Sequence, residues 1–225
     1  MKTRDFAYVL HLRPYQNNSY IVECFTPNHG RVSMVAEGVR CQKKKGYLDL
    51  FTLFWVEYVL RRDLGALYQF EAEERVNLVG KKLYCGFYLN ELLVRFLPKH
   101  EPCAFLFECY RNTLEALSKA ENIEIPLRSF ELHFLGAIGY ALPLQYEAYS
   151  KIPIVAERMY QYQPLQGLTQ ILQAEPAHVI RGETILAIAD LRWDSASLKV
   201  AKYLTRSTID TLLEGRGLKS REIFK

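Results

Sequence analysis

The sequence predicts an α+β protein in which a small closed five-stranded β-barrel is followed by a helical domain. Three observations predict it. Short runs rich in Val, Ile, Tyr and Phe fill the first 76 residues, and from about residue 77 the apolar residues recur at helical spacing. Between the third and fourth runs lies a basic loop bracketed by glycines, Gly38-Val39-Arg40-Cys41-Gln42-Lys43-Lys44-Lys45-Gly46. The domains are therefore read as 1–76 and 77–225. A composition of 49% hydrophobic and 13% aromatic residues is enough to fill a core in each.

The first three strands are expected over residues 6–13, 19–26 and 31–36. Pro27-Asn28-His29-Gly30 separates the second from the third as a hairpin signal. After the basic loop, 50–60 (LFTLFWVEYVL) reads as the fourth strand, and Arg61-Arg62-Asp63-Leu64-Gly65 turns into a fifth at 66–72. Closing these strands into a barrel hides hydrophobic edges that would otherwise pair with other chains. Period-two alternation puts Phe51, Leu53 and Trp55 on one face, and Phe54, Val56 and Tyr58 on the other.

In the second half, Leu83, Phe87, Leu89, Leu92, Leu93 and Phe96 mark a helix that stops at Pro98. Two more helices are expected over 103–120 and 127–138. Residues 140–192 are broken by Pro143, Pro153, Pro164 and Pro176 and are read as an irregular, loop-rich insertion with short ordered pieces. A last amphipathic helix, capped by Ser195 or Ser197, presents Leu198, Ala201, Leu204, Ile209, Leu212 and Leu213 before Gly215.

Net charge is only +4, so any polyanion site must come from charge placed locally. The barrel loop is the densest such place. Arg31, Arg40, Lys43, Lys44 and Lys45 are candidate phosphate contacts, and Tyr47 beside Gly46 is a candidate base-stacking ring. A solvated turn is the plain alternative for the same charges. Lys199, Lys202 and Arg206 form a second basic stripe on the last helix, at i, i+3, i+7 spacing opposite its leucines. Such a stripe is either a solvated face or an extension of a nucleic-acid track. Lys219 and Arg221 follow, as further contacts or as a clamp on the terminus.

Arg128, next to Leu127 and Phe130, suits an acidic peptide, because a guanidinium grips a carboxylate in bidentate fashion. It can equally pair with Glu124 or Glu131 on its own helix. The five cysteines are odd in number, scattered and without a C-x-x-C pair, which argues against a zinc site and for reduced thiols in a cytosolic protein. The five histidines are dispersed, Gly215-Arg216-Gly217 is no phosphate-binding fingerprint, and no G-x-S-x-G occurs. No enzymatic chemistry is expected.

The order of several short stretches resembles the RecO family of bacterial recombination mediators. In the barrel half they are Val9-Leu10-His11-Leu12-Arg13-Pro14-Tyr15, Phe25-Thr26 through Gly30-Arg31-Val32, and Val35-Ala36-Glu37-Gly38-Val39-Arg40. In the helical half they are Leu83 through Leu93, Leu127-Arg128-Ser129-Phe130-Glu131-Leu132, Gly139-Tyr140 and Leu218-Lys219-Ser220-Arg221-Glu222. The resemblance implies an OB barrel, a helical domain, and binding of single- and double-stranded DNA with annealing of complementary strands without ATP. It further implies docking on the acidic C-terminal tail of single-stranded DNA-binding protein, a contact placed near Leu127 and Arg128, and work with RecR in loading recombinase at the bacterial nucleoid.

Two features depart from the family pattern. Many members carry four zinc-binding cysteines after the equivalent of Gly139-Tyr140, where this chain reads Pro143-Leu144-Gln145-Tyr146-Glu147. No metal or other cofactor is therefore expected. Glu37 stands where relatives are often basic, and Lys43 to Lys45 compensate for it. Two rival classes remain at this point, a generic OB-fold RNA binder and a protein-binding scaffold.

Overall fold

A computed structural model describes residues 2–16, 18–37, 47–171 and 179–223. The N-terminal strands are β1 (Thr3–Tyr15), β2 (Ser19–Thr26), β3 (Gly30–Ala36), β4 (Thr52–Val59) and β5 (Gly65–Arg75). They close in the order β1-β2-β3-β5-β4, with β3 and β5 parallel and β4 returning to β1. This is the five-stranded barrel expected from the sequence.

Alternation decides what fills it. Ala7 and Val9 of β1, Val22 and Cys24 of β2, Val32 and Met34 of β3, and Phe54, Val56 and Tyr58 of β4 point inward as one buried cluster. At one end the β2–β3 hairpin is pinned to β1. Buried Asp5 accepts from Asn28 Nδ2 at 2.9 Å, while Tyr58 Oη lies 2.9 Å from His29 Nδ1. Gly30 closes this hairpin at φ +62, and a Cβ there would sit 1.8 Å from the Glu101 carbonyl. Only glycine fits both the turn and the neighbour.

Helix α1 (Lys81–Phe96) packs on the outside of β1 and α2 (Ala104–Lys119) on that of β2. Tyr8 and Phe25, facing outward from β1 and β2, each lie 5.5 Å from the Phe107 ring. Tyr110 of α2 donates to Asn90 Oδ1, and Asn90 Nδ2 donates at 3.0 Å to the Leu10 carbonyl, so a buried polar link ties both helices to β1. Gly86 of α1 makes room for Phe51, since a Cβ there would lie 2.7 Å from that ring. A four-residue helix, α6 (Lys219–Glu222), returns to α1, where Glu91 caps it by accepting from the backbone N–H of Lys219 at 3.0 Å and of Ser220 at 2.8 Å. These hydrogen bonds outweigh burial and hold the Glu91 carboxyl below the usual range. The barrel, α1, α2 and α6 form one compact unit, Met1–Ala120 with Leu218–Lys225.

The second unit, Glu121–Gly217, contains α3 (Glu124–Ala137), β6 (Met159–Gln163), β7 (Gly167–Gln170), β8 (Ile180–Arg181), α4 (Gly182–Ala189) and α5 (Ser195–Leu212). Helix α3 starts before Pro126 rather than after it, because first-turn N–H groups have no partner within the helix and proline forfeits nothing there. The cap of α5 is Asp194, not a serine. Its carboxylate accepts from Ser197 N at 2.7 Å, and Ser197 Oγ accepts from Asp194 N at 2.8 Å.

A three-stranded sheet, β7-β6-β8, stands in the segment read as irregular. Tyr160, Tyr162, Leu168 and Ile180 are buried from it against Ile185, Ile188, Ala201 and Leu204 of α4 and α5. No helix among the described residues is long and apolar enough to cross a membrane.

Candidate nucleic-acid interface

The basic loop joins β3 to β4, and its Arg40, Lys43, Lys44 and Lys45 lie outside the described residues. Tyr47, on the segment leading into β4, is 67% exposed. Arg31 is otherwise engaged. It leans outward from β3, donates through Nε to the Leu97 carbonyl at 2.9 Å, and pairs through Nη1 with Glu23 at 3.0 Å. Ser33 Oγ donates to the second Glu23 oxygen at 2.6 Å. Arg31 thus fastens the end of α1 to the barrel.

The stripe on α5 divides similarly. Lys199 and Arg206 are exposed, whereas Lys202 Nζ reaches Glu124 Oε1 at 2.6 Å and ties α5 to the start of α3. That hydrogen bond, with the nearby Lys202, Arg128 and Arg206 charges, holds the Glu124 carboxyl below its ordinary range against partial burial. Lys219 is exposed, while Arg221 sits with its guanidinium 5.6 Å from the Tyr88 ring centroid. The terminus is clamped as one of the two sequence readings allowed, with Glu91 as the holding group.

Arg128 is 3% exposed. Its Nη1 lies 2.5 Å from Glu131 Oε2 and 3.3 Å from Thr205 Oγ1, and Thr205 Oγ1 donates to the same carboxylate oxygen. Leu127 is buried beside it. Of the two readings of Arg128, pairing along its own helix is the one seen. An incoming carboxylate would have to displace Glu131.

Four barrel residues, Lys2, Arg4, Glu57 and Tyr68, escaped the sequence reading as candidates. Lys2 and Arg4 precede the strand as it was bounded there, yet they stand on β1's outer face and at its entry. Glu57 of β4 accepts from Lys2 Nζ at 2.6 Å and from Arg4 Nε at 3.0 Å. Those two hydrogen bonds hold its carboxyl below the ordinary value. Lys2 lies 5.0 Å from the centroid of the Tyr68 ring, and the Arg4 guanidinium 5.8 Å from that of Trp55. The signal was present in the alternation Lys2, Arg4, Phe6, but an outward face of cations beside aromatics looks like any strand with one polar side.

Among the described residues no group of three His, Cys, Asp or Glu side chains could hold a metal. Cys24 is buried inside the barrel, which pushes its thiol well above the ordinary value.

Comparison with known proteins decides the family. The model of "Recombination protein O N terminal" matches residues 1–75, and that of "Recombination protein O C terminal" matches 78–222. The chain belongs to the RecO family. A "DNA repair protein RecO" of Methylococcus capsulatus is 43% identical over 226 residues, covering 98% of this chain and 92% of that protein. Proteins of the same name from Coxiella burnetii and Cellvibrio japonicus are 42% and 39% identical, each covering 97% of this chain and 96% and 94% of their own lengths. Membership in RecO places the chain among proteins of DNA repair and recombination.

Proposed function

We propose that this RecO chain is a non-catalytic mediator of recombinational DNA repair that binds single- and double-stranded DNA and anneals complementary strands without ATP. The observation that carries the reading is the connection of β3 to β4, where the barrel bears four cations within six residues of sequence, Arg40 to Lys45. Phosphates repel each other when two strands approach, and cations on one loop relieve that repulsion by releasing counterions. Base pairing then provides about 1.4 kcal/mol per stacked step, so nucleotide hydrolysis is not required.

Family membership supports two protein partners in the bacterial cytoplasm, the acidic tail of single-stranded DNA-binding protein and RecR. For the tail we retain the α3–α5 face of the second unit. There Arg206 is exposed, and Arg128 is the guanidinium for which a tail carboxylate would compete with Glu131.

The test is a salt series. With Lys43, Lys44 and Lys45 all changed to Ala, the slope of log affinity for single-stranded DNA against log salt is expected to fall by about 0.7 per lost contact. Fluorescence anisotropy of a labelled oligonucleotide reads it. A slope equal to that of the unmodified protein would take the loop out of the site.

A further inference from the structure

The outer surface of the barrel is unevenly covered. Toward β2 and β3, the outward residues Phe25 and Arg31 are taken up by Phe107 of α2 and the Leu97 carbonyl beyond α1. Part of the β2–β3 surface is thus occupied by α2 and by the segment that follows α1. On the opposite side, where β4 lies between β1 and β5, no helix among the described residues covers Phe6 or Tyr68 and both rings are partly exposed. Phe6 is 45% exposed and Tyr68 48% exposed, and half-buried Trp55 stands directly across from Phe6 in the β1–β4 register.

We propose that this β1–β4–β5 face, built on Phe6, Trp55 and Tyr68 with Lys2 and Arg4, is a stacking platform for the bases of single-stranded nucleic acid. The proposal rests on the nucleic-acid reading given above and assigns it a second surface. Three aromatic side chains on adjacent strands are held by the backbone pleat, so ordering them for stacking costs little at binding. Bases from any sequence have a π-face to offer such rings.

The charges suit the same occupant. Lys2 and Arg4 are exposed and lie over or beside the rings, where they meet phosphates flanking a stacked base. Glu57, which orients both, has a side chain only 6% exposed, so cations and rings rather than its carboxylate face the solvent. Glu71, exposed across from Trp55 on β5, limits the electrostatic share. Affinity at this face therefore comes mainly from stacking, in contrast to the loop, which acts through charge.

That contrast makes the platform testable. A duplex hides its base faces, whereas a single strand exposes them. In the full chain, Phe6→Ala combined with Tyr68→Ala is expected to weaken binding to a labelled oligothymidylate about tenfold or more, at the scale of base–aromatic stacking. Affinity for a duplex of equal length should stay within about twofold of the unmodified protein, with an unchanged unfolding midpoint. As a second readout, Trp193→Phe leaves Trp55 as the only tryptophan, and oligothymidylate should quench its emission.

Unchanged single-strand affinity in the double variant, or equal losses on single strand and duplex, would overturn the platform. So would Trp55 emission indifferent to saturating oligothymidylate. Failure of the unmodified protein to bind either oligonucleotide would instead remove the nucleic-acid reading on which the platform rests.

Discussion

Glu131→Ala is expected to destabilise the second unit by about 3–5 kcal/mol, the range for leaving one member of a buried ion pair without its partner. Arg128 and Glu131 have side chains only 4% and 1% exposed, so water does not replace the lost carboxylate. Thr205 is the other group near the guanidinium Nη1, at 3.3 Å, and Arg128 Nε already has no hydrogen-bond partner. Denaturant unfolding followed by circular dichroism and by emission of Trp193, which packs against that unit's core, measures the change. Replacing both charges together, Arg128→Met with Glu131→Leu, should recover most of the loss, because an apolar pair of similar volume carries no desolvation penalty. A single variant as stable as the unmodified protein would show that the pair is not buried in solution. The same experiment bears on the acidic-tail proposal, since a guanidinium released from Glu131 is the one a tail carboxylate would need.

Phe107→Ala is expected to cost the first unit about 3–5 kcal/mol, the usual range for truncating a buried phenylalanine. Phe107 is buried on α2 and meets both Tyr8 and Phe25 at 5.5 Å, so one ring bridges the helix to two barrel strands. Its removal leaves a cavity between α2 and β1–β2 that neither backbone can close, because Asn90 and Tyr110 hold the helices to the Leu10 carbonyl. The midpoint of chemical denaturation should shift accordingly, without change in its slope. A loss below about 1 kcal/mol would mean that α2 is held chiefly by the polar link, and Asn90→Ala would then be the more damaging change.

The barrel was legible because its signals were local. Strand β2 runs over the expected 19–26, its end set by the hairpin residues Pro27 to Gly30, and alternation along β4 separated Phe54, Val56 and Tyr58, which fill the barrel, from the face of Trp55. Strand β5 runs past 72 to Arg75 because backbone pairing with Thr52 and Leu53 continues under a polar sequence. No apolar pattern announces that pairing. The β6–β7 hairpin had a faint signal, Met159-Tyr160-Gln161-Tyr162-Gln163, which the surrounding prolines obscured. Asp194 was passed over as a cap because two serines follow it, and only geometry distinguishes the acceptor at the cap from the serine that answers it.

The candidate site was harder to read for a physical reason. A strand's outward residues look alike in sequence whether a helix covers them or water does. Tyr8 and Phe6 are two residues apart on the same face, yet one packs on Phe107 and Tyr110 while the other is exposed. Arginines are equally ambiguous. Arg31 and Arg128 carry the same formal charge as Arg40, but their guanidinium groups are committed to Glu23 and Glu131. Tertiary partners, which spacing does not encode, decide whether a cation is available to a phosphate.

The measurement that bears most directly on charge-driven DNA binding is the salt dependence of the unmodified protein with a labelled single strand, begun in dilute buffer. The account predicts a linear fall of log affinity with log salt, at about 0.7 per phosphate neutralised, steep enough for at least the three loop lysines. A flat line, or no complex even at the lowest salt, would contradict it.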